Sequence, residues 1–227
     1  MFSFLPSFLI AQTTIPTPAP VEVVQPQIVR SLPGKLDDVP VFNSNSPELV
    51  LKEGILLSTF RGKGKKMPSA HLNFPFKGRF DIFAHHVAKA STPSDLRTLY
   101  LGIMLHNPTS QPVTVNTIHA ASYLSQPDAP FIDLPSQKNN YFGRVFAGPG
   151  SRVTSDVLRK RRQSTIPAQL IIPPGKTRMI MNAPIPVKEL EPPINGRSTL
   201  MRLWSSGKVH AASLAMFAPT NADGSER

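Results

Sequence analysis

Residues 99–123 constrain this chain more than any other stretch. Apolar residues alternate along Leu-Tyr-Leu-Gly-Ile-Met-Leu-His, and again along Val-Thr-Val-Asn-Thr-Ile-His-Ala-Ala-Ser-Tyr. Between the runs lies Asn107-Pro108-Thr109-Ser110-Gln111-Pro112, a cluster that no helix tolerates. A period of two on each side of a turn predicts a β-hairpin with one buried face. Leu99, Leu101, Ile103 and Leu105 fall on one side, Tyr100, Gly102, Met104 and His106 on the other. Past the turn, Val113, Val115 and Thr117 share a face, and then Ile118, Ala120 and Ser122 carry on in the opposite phase. A β-bulge across residues 116–118 absorbs that slip. Each buried Leu or Ile contributes roughly 1.5–3 kcal/mol, and a one-residue slip exposes the whole row, so the register is tightly specified.

The 227 residues contain no cysteine. Disulfide scaffolds, thiol catalysis and Cys-ligated metal sites are thereby excluded, and export is accommodated. Proline is abundant, 25 against 13 glycine, which disfavours long helices and favours short strands joined by fixed turns. A domain of about 150 residues buries close to ~70% of its unfolded surface, enough for a core without staples. The formal net charge of +11 attracts anionic partners such as nucleic acid, lipid head groups or acidic glycans. A solvated surface with excess Lys and Arg accounts for it equally well.

Residues 1–11 are apolar and uncharged. They read as the hydrophobic region of a secretory signal cleaved after Ala11, with a frayed apolar terminus as the plainer alternative. Spanning a bilayer takes ~20 apolar residues, so this segment is too short. Residues 12–40 form a Pro-rich linker, expected to be extended and disordered. A β-domain is expected over 41–218, followed by a polar tail over 219–227. Within the domain, Val50-Leu51 and Ile55-Leu56-Leu57 suggest a strand pair, and Phe80, Ile82 and Ala84 alternate as in a strand. Residues 155–162 are the best helix candidate, capped by Thr154 or Ser155 and ending in Arg159-Lys160-Arg161-Arg162. Pro173-Pro174-Gly175-Lys176 turns one strand into the next. A last hairpin is expected around Ser205-Ser206-Gly207. The fold class is therefore mostly β: a sandwich of antiparallel hairpins, immunoglobulin-like or jelly-roll, with one or two short helices.

No motif with catalytic specificity occurs: no His-Glu-x-x-His, no Gly-x-Ser-x-Gly and no dinucleotide-binding glycine pattern. Asp81, His85 and His86 invite a metal site. On a strand, however, Asp81 and His85 share a face that His86 does not, so neither metal nor cofactor is expected. Two basic runs are candidate anion-binding sites: Lys63, Lys65 and Lys66, and Arg159, Lys160, Arg161 and Arg162. Each has a plainer reading, the first as a solvated hairpin tip and the second as a helix end satisfying its own dipole. Both runs are poor in aromatics, which argues against specific nucleic-acid readout.

Several segments carry a resemblance. They are Leu-Pro-Gly-Lys-Leu-Asp-Asp-Val-Pro-Val-Phe-Asn-Ser-Asn-Ser-Pro from Leu32, Ser-Ala-His-Leu-Asn-Phe-Pro-Phe from Ser69, and residues 80–90. Tyr-Leu-Ser-Gln-Pro-Asp-Ala-Pro-Phe from Tyr123 and Pro-Ile-Asn-Gly-Arg-Ser-Thr-Leu from Pro193 also match. Together they resemble a cyanobacterial family known as domain of unknown function 3370, from Leu32 onward. The resemblance implies an exported cyanobacterial protein, supplies no activity or site residues, and implies that members continue beyond Arg227.

The expected role is an exported, non-catalytic cell-envelope or extracellular structural or binding module. Its basic loops would contact anionic envelope polysaccharide or lipid head groups. Two alternatives stay open: a glycan-active envelope enzyme with Asp81 and Asp133 as its carboxylates, and a basic nucleic-acid-binding protein.

Overall fold

In the computed structural model, residues 37–227 are described, apart from 91, 93 and 136. The secretory-signal reading and most of the Pro-rich linker lie outside the described residues. The strands are β1 (Val41–Ser44), β2 (Gly54–Ser58), β3 (Phe76–Lys89), β4 (Leu99–His106), β5 (Val113–Leu124), β6 (Gln169–Ile172), β7 (Thr177–Ile185) and β8 (Ile194–Phe217). One helix, α1 (Gly148–Leu158), and a 3-10 turn at Pro68–Ala70 complete the set. The chain is mostly β, as its proline content and alternation predict.

All eight strands form one sheet threaded on the 24-residue β8. The first half of β8 lies between β3 and β5, so that Leu203 is opposite both Phe80 and Thr117. Its second half lies between β4 and β2, with Ala215 opposite Leu101 and Gly54. Beyond these, β6 edges β5, β7 edges β4, and β1 edges β3 in parallel. The apolar rows of both halves join in one core that includes Phe42, Phe80, Leu101, Ile103, Met201 and Leu203.

Several expectations are corrected by this pairing. The last hairpin does not exist, because β8 runs straight through Ser205-Ser206-Gly207. Gly207 lacks the positive φ a tight turn would use, and β3 stays paired from Ser205 to Val209 across a register shift. The central hairpin is an arch: β4 and β5 each pair with a different half of β8 and not with each other. Buried Asn107 fixes that corner. Its Nδ2 donates to Gln111 O (2.7 Å) and Ile172 O (2.9 Å), and its Oδ1 accepts from Thr109 N–H (2.8 Å). The Pro173–Lys176 turn is a second arch, with β6 on β5 and β7 on β4, and Asn107 N–H donates to Lys176 O to tie the two together. Val50-Leu51 forms no strand pair with β2, which instead pairs with β8. The parallel β1–β3 edge also departs from an all-antiparallel set of hairpins.

Other readings match the structure. Leu99, Leu101, Ile103 and Leu105 are all buried. The bulge falls between Thr117 and His119 and leaves Ile118 exposed.

The helix is displaced from its expected place. It begins at Gly148, with Pro149 in its first turn, and ends at Leu158. Proline in the first turn is pre-set for helix and gives up no needed N–H, so Gly-Pro-Gly opens this helix although it reads as a breaker. Thr154 Oγ1 donates to Gly150 O instead of capping. Lys160 takes a left-handed conformation (φ 62°) just past the end, so the basic run follows the helix. Asp156 lies in the last turn. It is held there by the Tyr123 hydroxyl (2.6 Å) and Arg161 (2.9 Å).

Candidate functional site

Where β3, β8 and β5 lie side by side, alternation divides their side chains between two faces. Phe80, Ile82, Met201, Leu203 and Ala120 point into the core. The outer face carries cross-strand rows set by the register: Arg79–Trp204–Asn116, Asp81–Arg202–His119, Phe83–Leu200–Ala121 and His85–Ser198–Tyr123. Two local irregularities aim the first rows outward. Gly78 takes a left-handed φ of 73°, open to glycine without strain, just before Arg79. The bulge in β5 then puts both Asn116 and His119 on the outer face. Helix α1 covers the other end, packing Val153 and Val157 on Ala121, Tyr123 and Leu200. The Arg79 and Asp81 rows stay open, and Trp204 is 42% exposed.

The open rows are polar, and positive charge is in excess. Asp81 Oδ1 accepts from Arg79 Nη2 at 2.8 Å, while Arg202 Nε lies 3.7 Å from Oδ2. One carboxylate thus serves two guanidinium groups. Arg202 Nε and His119 Nδ1 are buried atoms without a hydrogen-bond partner. Gln169 Nε2 donates to Asn116 Oδ1 at 3.0 Å. Desolvation lowers the His119 pKa, and the charges of Arg202, Lys160 and Arg79 lower it further. The imidazole is therefore neutral at pH 7. An indole face beside forked guanidinium donors and side-chain amides can stack on a ring and hydrogen-bond its acidic and hydroxyl groups.

The residues named from sequence are scattered over the surface. Lys63, Lys65 and Lys66 are exposed on the loop after β2, without side-chain bonds among the described residues. In the second run, three members hold their own chain. Arg159 donates to Tyr141 O (3.0 Å) and Ser155 Oγ (3.3 Å), Arg161 to Asp156, and Arg162 to Ile166 O (2.6 Å). Lys160 is the exception, since its charge acts on His119 at the border of the open rows. The two runs stand apart, one after β2 and the other after α1.

His86 is sealed in the core, with Nδ1 donating to Pro47 O and Nε2 accepting from Ser44 Oγ, both at 2.9 Å. The Ser44 hydroxyl is in turn 2.6 Å from Ser213 Oγ. This is the spacing of a nucleophile and its base, but His86, Ser44 and Ser213 are at most 1% exposed, so no substrate reaches them. Burial lowers the His86 pKa, consistent with a neutral, structural imidazole. His85 bonds Ser198 (2.8 Å) and Glu48 (3.2 Å). Among the described residues no group of three or more His, Asp or Glu is placed to hold a metal. Asp133 is exposed on the loop before α1, and no described cavity is lined by it together with Asp81.

Arg79, Arg202 and Trp204 escaped the sequence reading. The signal was the polar phase of strands whose apolar phase is plain: Arg79 and Asp81 flank Phe80, and Arg202 and Trp204 flank Leu203. Nothing local says that those phases meet.

Fold and face together define a mostly-β domain with an open, net-positive sheet surface. The chain belongs to the DUF3370 family, described as protein of unknown function, whose family model matches residues 27–227. Neither the curated proteins nor the solved structures compared with it yield a match.

Proposed function

We propose that the protein is a non-catalytic binding module, exported to the cell envelope or beyond, that holds an acidic polysaccharide on its open sheet face. The observation that carries this reading is the 42% exposed Trp204 set between Arg79 and Asn116, one row from Arg202, with a single carboxylate, Asp81, shared by the two guanidinium groups. A sugar ring offers a flat face to the indole, and a uronate or sulfate offers oxygens to the guanidinium groups. The +11 charge and the unbonded Lys63, Lys65 and Lys66 strengthen long-range attraction to such a polymer. The apolar segment before Gln12 and the lack of cysteine support export.

Titration with polygalacturonate, and with dextran as the neutral control, tests the reading. Binding to polygalacturonate alone, weakened at least ~10-fold by Trp204→Ala, is expected, a loss of about 1.4 kcal/mol. Equal binding of dextran, or an unaffected Trp204→Ala, overturns it. Fractionation of the source cells with sequencing of the mature amino terminus tests export. Replacing Lys63, Lys65, Lys66 and residues 159–162 by Ser should reduce retention on envelope fractions. Unchanged retention removes those loops from the proposal.

A further inference from the structure

Arg197, near the start of β8, is only 8% exposed. It forms no ion pair among the described residues. Its Nε and Nη2 donate to Pro184 O at 3.0 and 2.8 Å, and Nη1 donates to Ser122 Oγ at 3.0 Å. A guanidinium carries five N–H groups, so one on each terminal nitrogen is left over. Asp128 acts on this charge from beyond ion-pair distance, and its Oδ2 accepts the Leu124 N–H at 2.9 Å. Burial lowers the Arg197 pKa to about 10, which still leaves it charged at neutral pH. A buried cation of this kind calls for an anion.

Arg197 lines a cavity of about 470 Å³ between β5, β7 and the segment after α1. Met179, Ala183 and Pro184 offer accessible apolar wall, and Asp128 lies on the same lining. Accessible apolar wall beside a buried cation suits a small amphipathic molecule.

We propose that this cavity binds a small amphipathic monocarboxylate, its head group on the leftover N–H groups of Arg197 and its alkyl part against Met179, Ala183 and Pro184. One N–H on each terminal nitrogen matches the two oxygens of a planar carboxylate. Asp128 repels a second negative charge, which disfavours a phosphate dianion. The site is separate from the open sheet face and does not depend on the polysaccharide reading.

Calorimetric titration of the full chain with octanoate tests the assignment, with octanol, octylamine and octyl phosphate in parallel. Saturable one-site binding of octanoate is expected, with octanol at least ten-fold weaker and octylamine inert. Arg197→Gln should abolish the binding. Because Arg197 also holds Pro184 and Ser122, the companion variant is Thr165→Trp, at an exposed residue of the cavity lining. It narrows the cavity, keeps the guanidinium, and should weaken octanoate at least ten-fold while the thermal melt and polygalacturonate binding stay unchanged. Absence of saturable octanoate binding to the folded wild type, or octanol binding as tightly, overturns the proposal. Octyl phosphate binding more tightly than octanoate overturns the monocarboxylate assignment.

Discussion

The outer face of the β3–β8–β5 sheet is two surfaces in one. At the Phe83 row, Leu200 and Ala121 are apolar, and α1 lies over them with Val153 and Val157. Arg152 stacks 3.9 Å from the Tyr123 ring at the same end, and Asp156 takes the Tyr123 hydroxyl. One row on, at Asp81–Arg202–His119, the side chains turn polar and the cover stops. Apolar surface has to be removed from water, and the one α-helix among the described residues lies there. Charged surface needs no cover, so the second half stays accessible. Trp204 is what general solvation does not explain, because a large indole left 42% exposed among arginines gains little from water.

The largest effect that sharpens this contrast is expected at the covered end. Val153→Asp buries an unpaired charge under α1 and should cost about 3–5 kcal/mol in urea denaturation. An equally stable variant would mean that the helix is not a true cover. Next comes Trp204→Ala, expected to weaken polysaccharide binding at least ~10-fold, about 1.4 kcal/mol, while stability changes by less than ~1 kcal/mol. A large stability loss instead would make the indole a packing residue.

Smaller effects concern the histidines on either side of the sheet. His86 in the core and His119 on the open face both have folded-state pKa values below 6.5, with burial the largest cause for each. The unfolded chain therefore takes up protons first as pH falls. Their stabilisation is present above pH 6.5 and is lost between 6.5 and the lower folded values. Urea melts at pH 7.5 and 5.5 should show this loss. His86→Asn should flatten the pH dependence more than His119→Asn does, since water reaches only the second. An anion beside Arg202 raises the His119 pKa, so polygalacturonate affinity should rise below pH 6.5 in the wild type and less in His119→Asn. The smallest effect is Lys160→Ala, with stability held within ~0.5 kcal/mol and a weaker salt dependence of polysaccharide binding.

Much of the fold was legible because alternation is a local property. The buried row Leu99–Leu105 and the slip near Asn116 follow from the order of side chains along each strand. Helix α1 was misplaced because Gly148-Pro149-Gly150 reads as a break, although proline in a first turn is compatible with helix. At the candidate site, Lys160 was visible as part of a basic run. Arg79 and Trp204 were not, since single polar residues in the outward phase of a strand look like ordinary solvated positions.

By itself the amino-acid order determined the strands on either side of Asn107 with the inward row Leu99–Leu105, the mostly-β class and the exclusion of cysteine chemistry. Each of these depends on neighbours within a few residues. Only the tertiary structure decided that β8 continues through Ser205–Gly207, that the turns at Asn107 and Pro173 are arches, and that Arg79, Arg202 and Trp204 share one surface. Strand pairing joins residues far apart in the chain. Its choice rests on the summed burial of whole rows and on buried corner bonds such as those of Asn107, which no local pattern encodes.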